Sequence, residues 1–444
     1  MNPLLHPARL VPLGFLFAII VGTLLLMLPV SHAGPGHADW LTALFTTTSA
    51  VCVTGLATVD TATYWSPFGQ GVIMGLFQIG GFGIMTGATL LGLLVTRRLS
   101  LSTRLVAQAE HAAELGDVRT TLKVVFGVTL GVELAVALML MLGLALHTRY
   151  EESWLLSAWH GLFLAVSSFN NAGFSLYSDN LMHFVTDPWI NFPIMAAIFI
   201  GGIGFPVLLE LWRSRDRDHT HWSVHTKLTM LGSGVLLALG TVSILYYEWG
   251  NPYTLGPLDP GGKILASLFH SVSARTAGFN TLDMGHLTSE TLSVHYLLLY
   301  VGGGSAGTAG GVKITTLALL AYMVWAEIRG EPDTTLFGRK VSLQVQRQAL
   351  TVIFLSTTLI AFATLALLSV TDYSLEVVVF EAISAFATVG LSTGITPNLP
   401  PSGLLILTAL MFIGRVGTTT VAMALALRTR RKPFHYPEEN PIVG

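Results

Sequence analysis

Long apolar stretches dominate the pattern of hydrophobic and polar positions along the chain. A helix needs about 20 apolar residues to cross the hydrocarbon core of a bilayer. Eight stretches reach that length, at residues 10–30, 69–95, 124–146, 189–212, 228–247, 292–326, 350–370 and 403–427. The pattern therefore predicts an all-α integral membrane protein with eight transmembrane helices.

The charged residues between these stretches predict the orientation of the chain. Every second connection is rich in arginine and lysine, and the positive-inside rule places such connections in the cytoplasm. The basic residues are Arg97, Arg98, Arg104, Arg119 and Lys123, then Arg213, Arg215, Arg217 and Lys227, then Arg329, Arg339, Lys340 and Arg347, and finally Arg428, Arg430, Arg431 and Lys432. The opposite connections carry mostly carboxylates. We therefore expect a multi-pass protein of the inner (plasma) membrane with both termini in the cytoplasm.

Composition supports a lipid environment and excludes several other classes. Of the 444 residues, 52% are hydrophobic and 11% are charged, against roughly 25% charged in soluble domains. The net charge of -2 offers no basic surface for nucleic acid. Cys52 is the single cysteine, so neither an intrachain disulfide nor a cysteine-based metal cluster can form. No nucleotide-binding, zinc-protease or other enzyme motif indicates an organic cofactor.

A second pattern recurs four times in the carboxylate-rich connections. A short apolar segment ends in a glycine in "FTTTSAVCVTGL", "FLAVSSFNNAGF", "LFHSVSARTAGF" and "FEAISAFATVGL". The glycines, at intervals of roughly 110 residues, are Gly55, Gly173, Gly278 and Gly390. Each segment is long enough for a half-membrane helix but too short to span. The sequence thus predicts a repeated unit of span, half-helix, extended glycine segment and span.

Four units of two spans each point the same way across the membrane and can surround one axis, forming a pseudo-fourfold pore. The predicted repeats are residues 1–110, 111–220, 221–335 and 336–432, followed by a cytoplasmic tail at 433–444.

Extended backbone at membrane depth must be buried in protein or line water, because lipid cannot satisfy its polar groups. Carbonyl oxygens directed at an axis can replace the hydration shell of a cation, and glycine allows the positive φ that this arrangement requires. The half-helices end at these segments, so the negative ends of their dipoles face the same point. The segment Thr388-Val389-Gly390 repeats the first three letters of the potassium filter TVGYG.

The stretch "VGGGSAGTAGGVK", residues 301–313, also satisfies the dinucleotide fingerprint through Gly302, Gly304 and Gly307. That motif requires a preceding strand and a βαβ unit, and neither is predicted here. The other repeats have "IGGFG", "IGGIG" and "IGRVG" at the same place. We therefore interpret the stretch as a break in a transmembrane helix, and "IGGFG" and "IGGIG" as sites of close helix packing.

Four span–half-helix–span units, one glycine per unit and a glycine-rich break in the third unit together resemble the Trk/Ktr/HKT superfamily of potassium transporters. The resemblance covers nearly the whole chain. It implies a K+ filter made of Val53, Thr54, Gly55, Asn171, Ala172, Gly173, Thr276, Ala277, Gly278, Thr388, Val389 and Gly390. It also implies a gate made of Gly302, Gly303, Gly304, Ser305, Ala306, Gly307, Thr308, Ala309, Gly310 and Gly311, with Arg415 nearby.

The eight-span length is most similar to the Ktr branch, since Trk chains commonly carry an additional N-terminal helix pair. In plant relatives, glycine at the position of Gly55 accompanies selectivity for K+ over Na+. The Ktr resemblance implies a homodimer on a cytosolic ring of nucleotide-binding regulatory subunits, and it leaves a dependence on Na+ open.

Several polar residues lie at membrane depth. A central arginine such as Arg415 costs roughly 2.5 to 3.5 kcal/mol on insertion scales, and the carbonyls of the gate are its natural partners. Arg275 is interpreted as an outer structural anchor. His160 and His270 fit local hydrogen bonds better than metal ligation. The sequence leaves the roles of these histidines, Glu133 and Glu210 open.

The predicted function is the pore-forming subunit of a K+ uptake system. The alternative is a secondary cation transporter with a binding site at the midplane, but that class is marked by inverted repeats. A membrane enzyme ranks third, because no nucleophile–base pair or metal cluster lies at membrane depth.

Overall fold

The structure, a computed structural model, describes residues 7–97, 118–146, 153–214 and 222–417. These residues are mostly helical. The helices are α1 Pro7–Leu26, α2 Trp40–Val51, α3 Thr61–Tyr64, α4 Pro67–Arg97, α5 Val118–Leu146, α6 Trp154–Asn170, α7 Pro188–Ile203, α8 Phe205–Arg213, α9 Val224–Glu248, α10 Pro260–Ser273, α11 Ser289–Tyr300, α12 Ile314–Ile328, α13 Leu343–Leu368, α14 Leu375–Ala387 and α15 Pro401–Phe412. Two short strands, β1 Thr335–Leu336 and β2 Arg339–Lys340, pair antiparallel between α12 and α13.

Each of the eight apolar stretches contains helix, but the helices differ in length. Within the described residues, α9, α13 and residues 122–146 of α5 are each long and apolar enough to cross a bilayer, and the bent pair α7–α8 makes up to four. Other apolar helices are shorter, including α12 and residues 11–26 of α1. These long apolar helices identify a membrane protein.

Three of the predicted second spans depart from a straight α-helix. The pair α7–α8 bends by 97° at Gly204, which has a φ of +99°. Residues 301–313 separate α11 from α12, and residues Ile413–Gly417 form a π-helical turn after α15. By contrast, α4 runs through Ile79–Gly83 without a break. In three of the four second spans, the irregular backbone therefore coincides with the glycine motif.

The carboxylates of the acidic connections begin several helices. The side chains of Asp39, Asp60, Asp187, Asp259 and Asp283 each accept a hydrogen bond from the backbone N–H two residues later. An N-cap of this kind satisfies one of the N–H groups that a helix leaves free at its start. The same aspartates that make these connections acidic therefore fix where the helices start.

The four short helices α2, α6, α10 and α14 lie at the centre of the hydrophobic core. Phe45, Phe163 and Phe380, each ten residues before a glycine of the repeat, are fully buried, and Leu268 holds that position in α10. Each of these helices packs in part against a longer helix of its own unit, such as α5 for α6 and α9 for α10. The core thus holds the C-terminal ends of four short helices near one another.

Candidate functional site: a ring of four glycine segments

Four segments, here called the glycine segments, meet where the short helices end. They are residues 53–55, 171–173, 276–278 and 388–390. A Cβ atom placed on any of the four glycines would meet the carbonyl oxygen of the residue just before another of these glycines. The pairs are Gly55 with Ala172, Gly173 with Ala277, Gly278 with Val389, and Gly390 with Thr54. The contacts run in chain order and return to the start, so the segments form a closed ring.

The first and last residues of each segment have positive φ. The four glycines have φ values between +71° and +96°, which confirms the prediction of positive φ. The residue two before each glycine is also left-handed, at φ +57° for Val53, +58° for Asn171, +73° for Thr276 and +51° for Thr388. Such a conformation is unfavourable for a residue with a Cβ atom, and most of all for β-branched ones. The surrounding structure therefore imposes it.

Serines of the short helices hold the N–H groups of the segments. The N–H groups of Thr54, Ala172, Ala277 and Val389 donate to the carbonyls of Ser49, Ser167, Ser273 and Ser384, at 2.7–2.9 Å. Two of the serine hydroxyls also accept from the glycine that follows, since Ser49 Oγ lies 3.0 Å from Gly55 N and Ser384 Oγ lies 3.2 Å from Gly390 N. The other two hydroxyls donate to the carbonyls of Phe174 and Phe279. The N–H groups are thus directed back to the helices.

The carbonyl oxygens of the segments are left unused. Among the described residues, no hydrogen bond is donated to a carbonyl of the twelve ring residues. Buried carbonyls in proteins nearly always have a partner. The three carbonyls of each segment are thus left without a protein donor among the described residues, and carbonyl oxygens of this kind are chemically suited to a cation.

A second feature, here called the glycine loop, is residues 302–311. It packs against the ring, because a Cβ on Gly302 would lie 3.3 Å from Thr276 Cγ2 and one on Gly310 would meet the Thr388 hydroxyl. It also packs against the end of α7, since Gly304 N donates to Gly202 O at 2.9 Å and Thr308 N to Gly201 O at 3.0 Å. The loop thus lies beside the first residues of the third and fourth glycine segments, on their helix side.

Two basic side chains, the half-buried Lys313 and the buried Arg415, lie next to the glycine loop. Lys313 Nζ donates to the carbonyl of Ala309 at 2.6 Å and approaches that of Gly310 at 3.5 Å. Arg415, in the π-helical turn, is 2% exposed. Its Nε and Nη2 have no hydrogen-bond partner among the described residues. We expected Arg415 to bind the loop carbonyls, but Lys313 occupies two of them because it directly follows the loop.

Comparisons with known proteins agree with this architecture. Residues 18–433 match the family described as "TrkH: Cation transport protein". The chain belongs to that family. It is 40% identical to the Ktr system potassium uptake protein B of Bacillus subtilis, over 99% of this chain and 97% of the relative. It is 35% identical to the potassium/sodium uptake protein NtpJ of Enterococcus hirae, over 99% and 98% respectively.

Among solved structures, the chain is similar to the potassium transporter TrkH from Vibrio parahaemolyticus, with a TM-score of 0.73 and 15% identity, over 94% of this chain and 85% of that one. At that identity the likeness concerns the fold alone. This TrkH family member is thus a mostly helical membrane protein, as the sequence predicted.

Several residues around the site of this TrkH family member were not predicted from the sequence. The serines stand six residues before the glycine in three segments and five before it in the third, so their recurrence was a usable signal. Lys313 gave no signal of its own, because a basic residue after a span resembles any cytoplasmic anchor. The left-handed residues before each glycine could not be read from their type either.

Four polar residues that the sequence left open have clear contacts. His160 Nδ1 lies 3.1 Å from the Tyr177 hydroxyl. His270 Nε2 accepts the N–H groups of Thr281 and Leu282. Glu210 accepts from Ser223 and Thr226 at the start of α9. Glu133 binds two amide side chains beside the second glycine segment. Arg275 is buried, with its guanidinium 5.8 Å from the centre of the Phe199 ring.

Proposed function

We propose that this chain is the pore-forming subunit of a K+ uptake system and conducts K+ through the ring of glycine segments. The observation that carries the proposal is the set of unpaired carbonyl oxygens in a closed ring. Water gives a K+ ion a shell of oxygens, and stacked layers of four carbonyls supply oxygens in its place. The names of the relatives, potassium uptake protein B and a potassium/sodium uptake protein, support K+ as the ion and leave Na+ as its competitor or co-ion.

The ring is the selectivity filter in this proposal. The short helices α2, α6, α10 and α14 end at it, so the partial negative charges of their C-termini add to the attraction for a cation. The serine hydrogen bonds hold the N–H groups away from the ion path. In this proposal, the positive φ of the first residue of each segment turns successive carbonyls toward the ion path.

The proposed architecture has eight transmembrane helices in four parallel repeats around one pore. The repeats are residues 1–110, 111–220, 221–335 and 336–432, each with one glycine segment. Support comes from the helical content of all eight apolar stretches and from the chain-order contacts of the ring. The basic connections place both termini in the cytoplasm, and residues 1–6 and 418–444 lie outside the described residues.

The glycine loop is the gate in this proposal. Its residues pack against Thr276 and Thr388, so an ion that leaves the ring on that side meets the loop and the charge of Lys313. Arg415 adds a second positive charge there. A K+ ion therefore passes only when the loop moves and these charges are offset.

The assembly is proposed as a homodimer on a cytosolic ring of nucleotide-binding regulatory subunits. This part rests on the resemblance to Ktr-type subunits. Movement of such a ring would act on the cytoplasmic ends of α12 and α13, which the segment with the β1–β2 hairpin connects, and α12 begins directly after the glycine loop.

The test is uptake of Rb+, as a K+ substitute, into proteoliposomes that contain the purified chain. Uptake should follow the K+ diffusion potential and exceed that of protein-free vesicles, with and without Na+ in the medium. A gradient of Na+ that drives Rb+ uphill in the absence of a potential would instead assign the chain to the secondary transporters. A chain that reconstitutes in folded form but moves neither ion would refute the proposal.

A further inference from the structure

A buried polar cluster lies behind the second glycine segment, between α4, α5 and α6. Its members are Gln78, Glu133 and Asn170, and the latter two are 3% and 0% exposed. Gln78 Nε2 donates to Glu133 Oε2 at 3.1 Å, and Asn170 Nδ2 donates to Glu133 Oε1 at 3.2 Å. The Asn170 amide nitrogen, which has two hydrogens, also lies within hydrogen-bond distance of Gln78 Oε1 and of the Val166 carbonyl. One carboxylate thus joins three helices.

Asn170 connects this cluster to the ring. It is the last residue of α6, and Asn171, the first residue of the second glycine segment, follows it directly. Its side chain packs closely on α4, because Asn170 Oδ1 occupies the space that a Cβ on Gly81 would fill. A displacement of Asn170 would also shift the backbone of Asn171, which follows it directly.

The carboxylate of Glu133 has no ion-pair partner among the described residues, although a buried charge is costly unless it is compensated. Two amide donors supply part of that compensation. Through Asn170, the carboxylate lies one hydrogen bond from the residue that precedes the second glycine segment.

The corresponding positions in the other three units carry different residue types. Three residues before the glycine, the chain has Cys52, Arg275 and Ala387 where the second segment has Asn170. Arg275 stacks near Phe199 of the preceding unit, as Asn170 meets Gln78. The ring is therefore symmetric in its backbone but not in the side chains behind it. Glu133 is hydrogen-bonded to the residue before the second segment, whereas the buried carboxylate of the fourth unit, Glu381, accepts from Ser392 and Thr396 after its segment.

We propose that Glu133 is a positioning residue for ion selectivity. Through Asn170 it holds the second glycine segment at the spacing that favours K+ over Na+, and its charge stabilises the ion in the ring. The proposal rests on the proposed function, since it concerns the same ring.

The first test is the variant Glu133→Gln. Its preference for K+ over Na+ is measured as Rb+ uptake into proteoliposomes with Na+ as competitor. Glutamine keeps the volume of the side chain and removes the charge. It also presents an NH2 group to one of the two amide donors, Gln78 or Asn170, so one hydrogen bond is lost. We expect the preference for K+ over Na+ to fall about tenfold, which corresponds to about 1.4 kcal/mol.

A matched control is Glu248→Gln. Glu248 is also fully buried and accepts hydrogen bonds from Thr254 and Thr288, but it caps the start of α11, away from the ring. This variant should unfold at a lower temperature and keep the wild-type K+/Na+ preference. If Glu133→Gln behaves in the same way, with lower stability and unchanged preference, Glu133 is structural and the proposal is wrong.

A charge swap tests the pairing directly. Asn170→Asp alone places two carboxylates at the 3.2 Å contact and should also lose preference. The double variant Glu133→Gln with Asn170→Asp restores one donor and one anion, so it should recover most of the preference. This double variant also provides the measurement if Glu133→Gln does not fold. Failure of the swap to improve on Asn170→Asp would overturn the proposal, whereas a wild-type chain without K+ flux would overturn the proposed function first.

Discussion

Replacing Gly55 by serine perturbs the ring at a defined contact. A Cβ atom at this position would lie 2.5 Å from the carbonyl oxygen of Ala172, where ordinary contact begins at 3.4 Å. That oxygen must therefore move by about 1 Å, because a contact so short is strongly repulsive. Serine must also adopt the φ of +95°, which costs of order 1–3 kcal/mol for a residue other than glycine.

The effect on transport follows from the displaced oxygen. Interactions between a polar group and a charge contribute about 1.5–3 kcal/mol each, and the displaced carbonyl is one of four in its layer. Losing most of one such interaction corresponds to a fall of about tenfold or more in the preference for K+ over Na+. The fold itself should survive, because the backbone cost is of the size that single substitutions commonly impose.

The assay is Rb+ uptake into proteoliposomes with Na+ as competitor, alongside thermal unfolding in detergent. Gly394→Ser is the matched control, because Gly394 has nearly the same φ, +92°, and no atom within 4 Å of the added Cβ. Both variants bear the backbone cost, but only Gly55→Ser moves a carbonyl of the ring. A folded Gly55→Ser variant with the wild-type K+/Na+ ratio would refute the assignment of the ring as the filter.

Three further predictions concern the gate and the anchors. Deleting several residues from the glycine loop, 302–311, should raise Rb+ flux, and loss of ATP or NAD binding by the isolated chain would instead revive the nucleotide-site interpretation. Arg415→Ala should raise Rb+ flux with little change in melting temperature. The reason is that a like charge at about 4 Å, with an effective dielectric of about 20, repels K+ by about 4 kcal/mol. A lower melting temperature with normal flux would make Arg415 structural. Ser384→Ala should lower stability by about 1 kcal/mol and reduce K+ preference, because Gly390 N loses its hydroxyl acceptor; chemical denaturation and competition flux measure the two effects.

The fold was predictable where one local signal decides it. Apolar length decides the helices, and the recurring glycine after each short helix marked the places where the chain turns back. The break at 301–313 was predictable because glycine at such density does not maintain a helix. The positive φ of Gly55 and Gly390 followed from the residue type.

Other parts of the site depend on partners far away in sequence. Val53 and Thr388 are left-handed although their β-branched side chains oppose it, so tertiary contacts overrode local preference. Glu133 and Asn170 are hydrogen-bonded across three helices, and a single sequence does not show which polar residues will face each other. The partner of Arg415 was expected among the loop carbonyls, but Lys313 was closer to them. These residues share one property, which is that their role is set by packing between units.

Closure of the ring also has a consequence for biogenesis. The contact of Gly390 with Thr54 joins the last glycine segment to the first, so it is among the most non-local contacts in the chain. During synthesis, a chain that has inserted only its first three short helices has an open side, and its first and third segments expose unpaired backbone. Such late, long-range closure slows folding and leaves intermediates prone to misassembly. The first short helix must therefore remain available in the bilayer until the fourth arrives, and truncation after the third unit would leave the cell with an inserted protein that has no complete ring.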